Sequence, residues 1–214
     1  MAYMLNGTNQ YISVNSAPAS GIPLTLSALV YPSFNDVQYP IIDVTDSFGA
    51  TTGSRVTMFF NGGAAGDPVQ CLACNTNTCG SAITTSGFSI NTWNSGISVS
   101  TQNNRSSFIN ASGKGTNEST INLAILTSMR LATRIVDGSV DSYLNGRLAE
   151  CAIWNVALTD AEIASLAKGF KPTRIRPQSL VFYAPLLRNL QDLKGGLALT
   201  NNNGANVANH PRVY

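Results

Sequence analysis

Cys71, Cys74 and Cys79 place three thiols in one segment, residues 67–80, while Cys151 lies far along the chain. Thiolates at this spacing suit a tetrahedral zinc site that recruits a fourth ligand. The same spacing suits a disulfide closing the segment, Cys71–Cys79 or Cys74–Cys79, or three free thiols in a reducing compartment. The only histidine, His210, is remote, and Cys151 alternates with Ile153 as a core-facing residue, so the zinc reading lacks an obvious fourth donor. All three readings stand on sequence alone.

Other reactive groups are sparse. Glycoside hydrolysis needs two carboxyl groups across the scissile bond. The nearest pair, Asp160 and Glu162, falls at a helix start where the helix dipole accounts for both, and Asp43 and Asp46 sit three apart where a strand gives way to a turn. There is no Gly-x-Ser-x-Gly, and His210 beside Pro211 reads as a packing or surface residue. Gly113-Lys114-Gly115-Thr116 resembles the end of a phosphate loop, but Ile109 stands where its first glycine is required.

The elements that carry these residues are short. Of 214 residues only 11% are charged, against about 25% in ordinary globular proteins, and 43% are hydrophobic. Net charge is +2, too weak for a field that draws the molecule onto nucleic acid or anionic lipid. No apolar run approaches the roughly 20 residues of a membrane span. The opening residues lack a secretory pattern, so synthesis and folding in a cytoplasm are expected. About a dozen alternating runs, broken by Gly, Pro, Asn and Ser, predict an antiparallel all-β domain. They include 2–5 and 11–14 as a hairpin about Asn6-Gly7, then 24–31, 41–45, 55–60, 81–90, 96–101, 105–110, 121–126, 129–136, 140–144, 148–154 and 180–183. One helix is expected near 160–168, with Thr159 and Glu162 as a capping box and Leu158 and Ile163 as a hydrophobic staple.

The stretch Gly146-Arg147-Leu148-Ala149-Glu150-Cys151-Ala152-Ile153-Trp154-Asn155-Val156-Ala157-Leu158-Thr159-Asp160-Ala161-Glu162-Ile163 resembles the strand and capped helix of the laminin G-like, or concanavalin A-like, jelly-roll family. Tyr3–Val14, 24–32, Trp93 and Tyr143–Gly146 resemble it more diffusely. The resemblance implies an all-β, concanavalin A-like (laminin G-like) antiparallel sandwich with one short helix. It implies a single domain over 1–190, with 191–214 as an extension on the domain or on a partner. Leu180–Leu186 resembles a piece that more often precedes the first strand, which implies pairing near 2–5. Calcium is the family's usual ion, which makes Asp43, Asp46, Asp137 and Asp141 its candidate ligands, although no Asp-x-Asp-x-Asp cluster exists and turn-capping explains them. The family's glucanases carry acids two residues apart on one strand, a pattern missing here. Trp93 and Trp154 fall where the family tends to bury aromatics, and sugar stacking is their alternative role.

The ending Asn209–Tyr214 resembles laminin G-like particle proteins of tailed bacteriophages. This implies a non-enzymatic decoration or fibre-type subunit on a capsid or tail surface. It would be a homo-oligomer, with a trimer favoured, bound to other virion proteins through the basic residues Lys171, Arg174, Arg176 and Arg212. The alternative is a carbohydrate-binding adhesion module for host-surface glycans, and a glycoside hydrolase is a distant third. Neither nucleic acid nor membrane is expected as a partner.

Overall fold

A computed structural model describes residues 2–46 and 53–214. In chain order its strands are β1 (Ala2–Asn6), β2 (Tyr11–Val14), β3 (Leu24–Pro32), β4 (Gln38–Thr45), β5 (Arg55–Asn61), β6 (Pro68–Cys74), β7 (Cys79–Gly87), β8 (Asn94–Ser100), β9 (Arg105–Ile109), β10 (Ser112–Asn117), β11 (Ser128–Leu131), β12 (Thr133–Val136), β13 (Ser139–Tyr143), β14 (Asn145–Trp154), β15 (Leu180–Ala184), β16 (Leu199–Asn202) and β17 (Asn206–Ala208), with helix α1 (Asp160–Ala167) after β14. They form an antiparallel jelly-roll sandwich, as expected. One sheet has eight strands, in the order β10-β9-β8-β3-β14-β1-β17 with β15 also on β14. The other has seven, in the order β16-β2-β11-β4-β5-β6-β7.

Period-two patterning builds the core. Leu24, Leu26, Ala28 and Val30 of β3 turn inward toward Val56, Met58 and Phe60 of β5, all at most 1% exposed. Burying each of the Leu, Val, Met and Phe side chains stabilises by about 1.5–3 kcal/mol. Gly96 of β8 is required opposite β5, since a Cβ there would run into the Phe60 ring. A second cluster covers the outer face of the eight-stranded sheet. Trp154, Phe108 and Ile97 lie beneath Leu158, Ile163 and Leu166 of the helix region. Both halves of the capping box form, and Thr25 fixes the chain on its way into the helix by donating to the Val156 carbonyl and accepting from Leu158 N–H.

Several elements differ from their sequence expectation. β1 and β2 are not a hairpin but belong to opposite sheets, because the Asn6 side chain accepts from the N–H groups of Thr8, Asn9 and Gln10 and turns the chain across the sandwich. Residues 67–80, which fall outside the expected strand runs, form most of the hairpin β6–β7. The run 129–136 breaks at Ala132, whose φ of +66° ends β11 and redirects β12. The run 121–126 is irregular and held by single hydrogen bonds, among them Ala124 N–H to Ser54 Oγ. β15 does not pair with β1. Both lie on the same edge of the ten-residue β14, β1 at Asn145–Leu148 and β15 at Cys151–Trp154. Residues 199–202 and 206–208 add a strand to each sheet.

Candidate ligand face on the seven-stranded sheet

Strand register places one row of side chains across the outer face of the seven-stranded sheet: Thr200, Ser13, Arg130, Asp43, Thr57, Leu72 and Ser81 on successive strands. The adjacent row carries Ser128, Thr45, Arg55, Cys74 and Cys79. The hairpin β12–β13 lies over β4, and its Asp137-Gly138 turn uses positive φ at both residues. Ile135 N–H donates to Asp43 Oδ2 at 3.2 Å, and Thr57 Oγ1 donates to Oδ1 at 2.5 Å. Asp43 is fully buried. Burial pushes its carboxyl above the usual carboxylate range, opposed by the Thr57 hydrogen bond and the Arg55 charge.

The surroundings are amides, hydroxyls and rings. Gln38 Nε2 donates to Gln70 Oε1 at 2.8 Å, and Gln70 Nε2 to Ser81 Oγ at 2.7 Å. Tyr11 and Tyr143 stand 6.2 Å apart between ring centroids, and Arg134 lies over Phe59 while pairing with Asp141 at 2.9 Å. Such a surface, half-buried rings among fixed amides and hydroxyls, matches the mixed apolar and hydrogen-bonding character of a sugar.

The four aspartates do not assemble a calcium site. Asp43 faces arginines, Asp141 is held by Arg134, Asp46 accepts from Ser54 N–H at 2.6 Å, and Asp137 is exposed in the hairpin turn. A cation gains nothing beside two guanidiniums, so the residues present do not fit calcium. Among the described residues no group of three His, Cys, Asp or Glu could hold a metal. The cysteines likewise separate. Cys74 and Cys79 form a disulfide across the β6–β7 hairpin, whereas Cys71 points into the core and donates toward the Val99 carbonyl at 3.6 Å. The zinc, Cys71–Cys79 and free-thiol readings of this trio therefore give way to the Cys74–Cys79 bond, because alternation sends Cys71 and Cys74 to opposite faces of β6.

The eight-stranded sheet carries the rest. Trp154 is fully buried and donates from Nε1 to the Ile175 carbonyl at 2.8 Å. Trp93 is only half-buried, edge-on to Tyr31 at 5.7 Å, and Arg147 already covers that tyrosine at 4.6 Å, which leaves the stack filled. Lys171, Arg174, Arg176 and Arg212 gather near the helix. Arg176 is committed to Glu162 at 2.8 Å and Arg212 to the Tyr214 ring, while Lys171 and Arg174 are exposed.

Sequence reasoning missed two features. Arg55, Arg130 and Tyr11 passed as ordinary strand residues, although a charged residue within an apolar alternating run is the available signal. Glu150 is 4% exposed at a bulge in β14, with φ of +53°. Its carboxylate accepts from Tyr183 Oη at 2.7 Å and lies 3.0 Å from His210 Nε2, beside a depression also lined by Lys171, Leu187 and Leu193.

The family model described as the concanavalin A-like lectin/glucanases superfamily matches residues 6–164. No curated protein sequence matches the chain. Among solved structures, the native heptameric SAP-like pentraxin of Limulus polyphemus is similar at TM-score 0.72 and 14% identity, covering 98% of this chain and 94% of that one. The Ruminococcus gnavus IT-sialidase CBM40, solved bound to alpha2,3 sialyllactose, is similar at 0.59 and 9%, covering 78% and 98%. The enzymatically active domain of bacteriophage CBA120 tailspike protein 2 is similar at 0.61 and 12%, covering 86% of this chain and 29% of that one.

Proposed function

The chain belongs to the concanavalin A-like lectin/glucanase superfamily, and from that premise we propose that it is a non-catalytic carbohydrate-binding protein whose ligand face is the outer surface of the seven-stranded sheet. The observation that carries this is the set of partly exposed hydroxyl, amide and guanidinium groups on and beside that row, Ser13, Arg130 and Ser81 with Gln38 and Gln70, flanked by Tyr11 and Tyr143. Donors and acceptors already held in place hydrogen-bond sugar hydroxyls at low entropic cost, and the tyrosines supply ring faces or edges. Hydrolysis finds no support on this face. Asp43 is sealed by Thr57 and Ile135, and Asp141 is neutralised by Arg134, so neither is placed to protonate a leaving oxygen. The fold likeness to the R. gnavus module, solved with a saccharide, supports the binding class. A panel of neutral and acidic oligosaccharides tests it: saturable binding that falls at least tenfold in Tyr11→Ala or Tyr143→Ala supports the reading, and no binding across the panel overturns it.

A second reading is favoured by the likeness to the CBA120 tailspike and by the exposed Lys171 and Arg174 near the helix. In it the chain is a bacteriophage decoration or fibre-type subunit at the virion surface, a homo-oligomer and specifically a trimer, docked on other virion proteins through that strip. Glycan binding and particle display are compatible, since they use opposite sheets. Native mass spectrometry that finds only monomer at micromolar concentration overturns the oligomeric part.

A further inference from the structure

Two arginines on the proposed ligand face are out of balance with their surroundings. Arg55 is 5% exposed and Arg130 half-buried, yet Nε and Nη1 of both are buried without a hydrogen-bond acceptor. An unmade hydrogen bond at a buried charged donor costs more than one at a buried neutral group. The fold can satisfy a buried arginine where it needs to. Arg105, fully buried, donates to the Thr101, Asn117 and Ser119 carbonyls and to the Asn117 and Ser119 side chains. Asp43, the carboxylate between Arg55 and Arg130, already accepts from Thr57 and Ile135. Arg134, the third guanidinium here, is matched by Asp141 and also donates to Gln38 Oε1, and the neighbouring Tyr11 and Tyr143 bring rings and hydroxyls rather than a second carboxylate. Two guanidiniums against one carboxylate leave a single positive charge, with unused donors, at the centre of a polar face.

We propose that Arg55 and Arg130 form an anion subsite that takes the carboxylate of an acidic saccharide, a uronic or nonulosonic acid. A carboxylate fits for two reasons. It carries one negative charge, so it neutralises the surplus without reversing it, whereas a phosphate dianion overshoots. Its planar pair of oxygens matches a guanidinium edge bidentately, which a lysine cannot reproduce. Half-buried Arg130 is the entry to the subsite, where its side chain turns outward to bring the shielded Nε and Nη1 onto the carboxylate, and Arg55 beneath supplies the field. The desolvated setting strengthens the charged hydrogen bonds once formed.

This inference rests on the carbohydrate-binding reading, and the test separates the two. Isothermal titration calorimetry on the full chain compares 3′-sialyllactose with lactose and a galacturonic acid oligomer with the neutral galactose oligomer, with sodium acetate and inorganic phosphate as small-anion arms. The expected result is preference for each acidic saccharide over its neutral partner by at least tenfold, weak competition by acetate, none by phosphate, and loss of the preference in Arg130→Met. Arg130→Lys keeps the charge but not the fork and is expected to restore only part of it, which keeps the test decisive if Arg130→Met fails to fold. Equal affinity for acidic and neutral partners, or a preference untouched in folded Arg130→Met and Arg130→Lys, overturns the subsite while leaving glycan binding standing. Absence of binding to every saccharide overturns both.

Discussion

His210 Nε2 lies 3.0 Å from Glu150 Oε1, so the single histidine of the sequence is joined to a carboxylate buried where β14 bulges. The contact fastens residues 209–214 across the edge of the eight-stranded sheet, helped by Tyr214 N–H to the Gly169 carbonyl and Lys171 N–H to the Tyr214 carbonyl. His210→Ala strips a polar partner from the buried Glu150 side chain and is expected to cost about 1–3 kcal/mol. Chemical denaturation measures the loss, and hydrogen exchange should show faster amides at 210–214 with the sandwich core unchanged. Unaltered exchange there would show that the backbone bonds alone hold the segment.

Thiol accounting tests the hairpin. Alkylation of denatured, unreduced protein is expected to label Cys71 and Cys151 only, and prior reduction to raise the count to all four. In the native fold Cys71 should resist alkylation at pH 8, because burial pushes its thiol up to about 12 and the thiolate is the nucleophile.

Acid should loosen the helix before the sandwich. Burial raises the Glu162 carboxyl, but hydrogen bonds from Thr159 and the paired Arg176 outweigh it, and the net effect lies below the usual carboxylate range. A carboxylate depressed in the folded state contributes stability above its unfolded pKa and loses it as pH falls through the folded one. Glu162→Gln should therefore cost about 0.5–1 kcal/mol at pH 7, an ordinary value for a partly exposed pair, and close to nothing at pH 3. Denaturant midpoints at the two pH values check the sign.

The two tryptophans should part company. Trp154→Ala empties a fully buried site and abandons the Ile175 carbonyl, at a cost of about 3–5 kcal/mol. Trp93→Ala is expected to lower stability by less than ~1.5 kcal/mol, the scale of an aromatic pair, and to leave saccharide binding unchanged. Lost binding in Trp93→Ala would move the ligand face to the other sheet.

Fold and site were unequally legible in the sequence. Leu24, Leu26, Ala28 and Val30 announce β3 by alternation, and Thr159 to Glu162 announces the helix start, because both signals are local. The partnership of β15 with β14 is a long-range choice that alternation does not specify. Asn6-Gly7 illustrates the limit, since a turn that reads as a hairpin instead carries the chain between sheets. The ligand face was hidden for the same reason. Ser13, Arg130, Asp43 and Thr57 come from four separate strands and meet only through register, and Arg55 is known to lack acceptors only once every neighbour is in place.

The most direct test of the central claim is amide chemical-shift mapping of the isotopically labelled full chain during titration with whichever panel saccharide binds most tightly. The account predicts saturable shifts concentrated on β2, β4, β5 and β11 and on the β12–β13 hairpin, with Tyr11, Ser13, Arg130 and Tyr143 among the largest. Shifts confined to the helix side, around Lys171, Arg174 and the Glu150 depression, would contradict it and place the ligand on the opposite sheet.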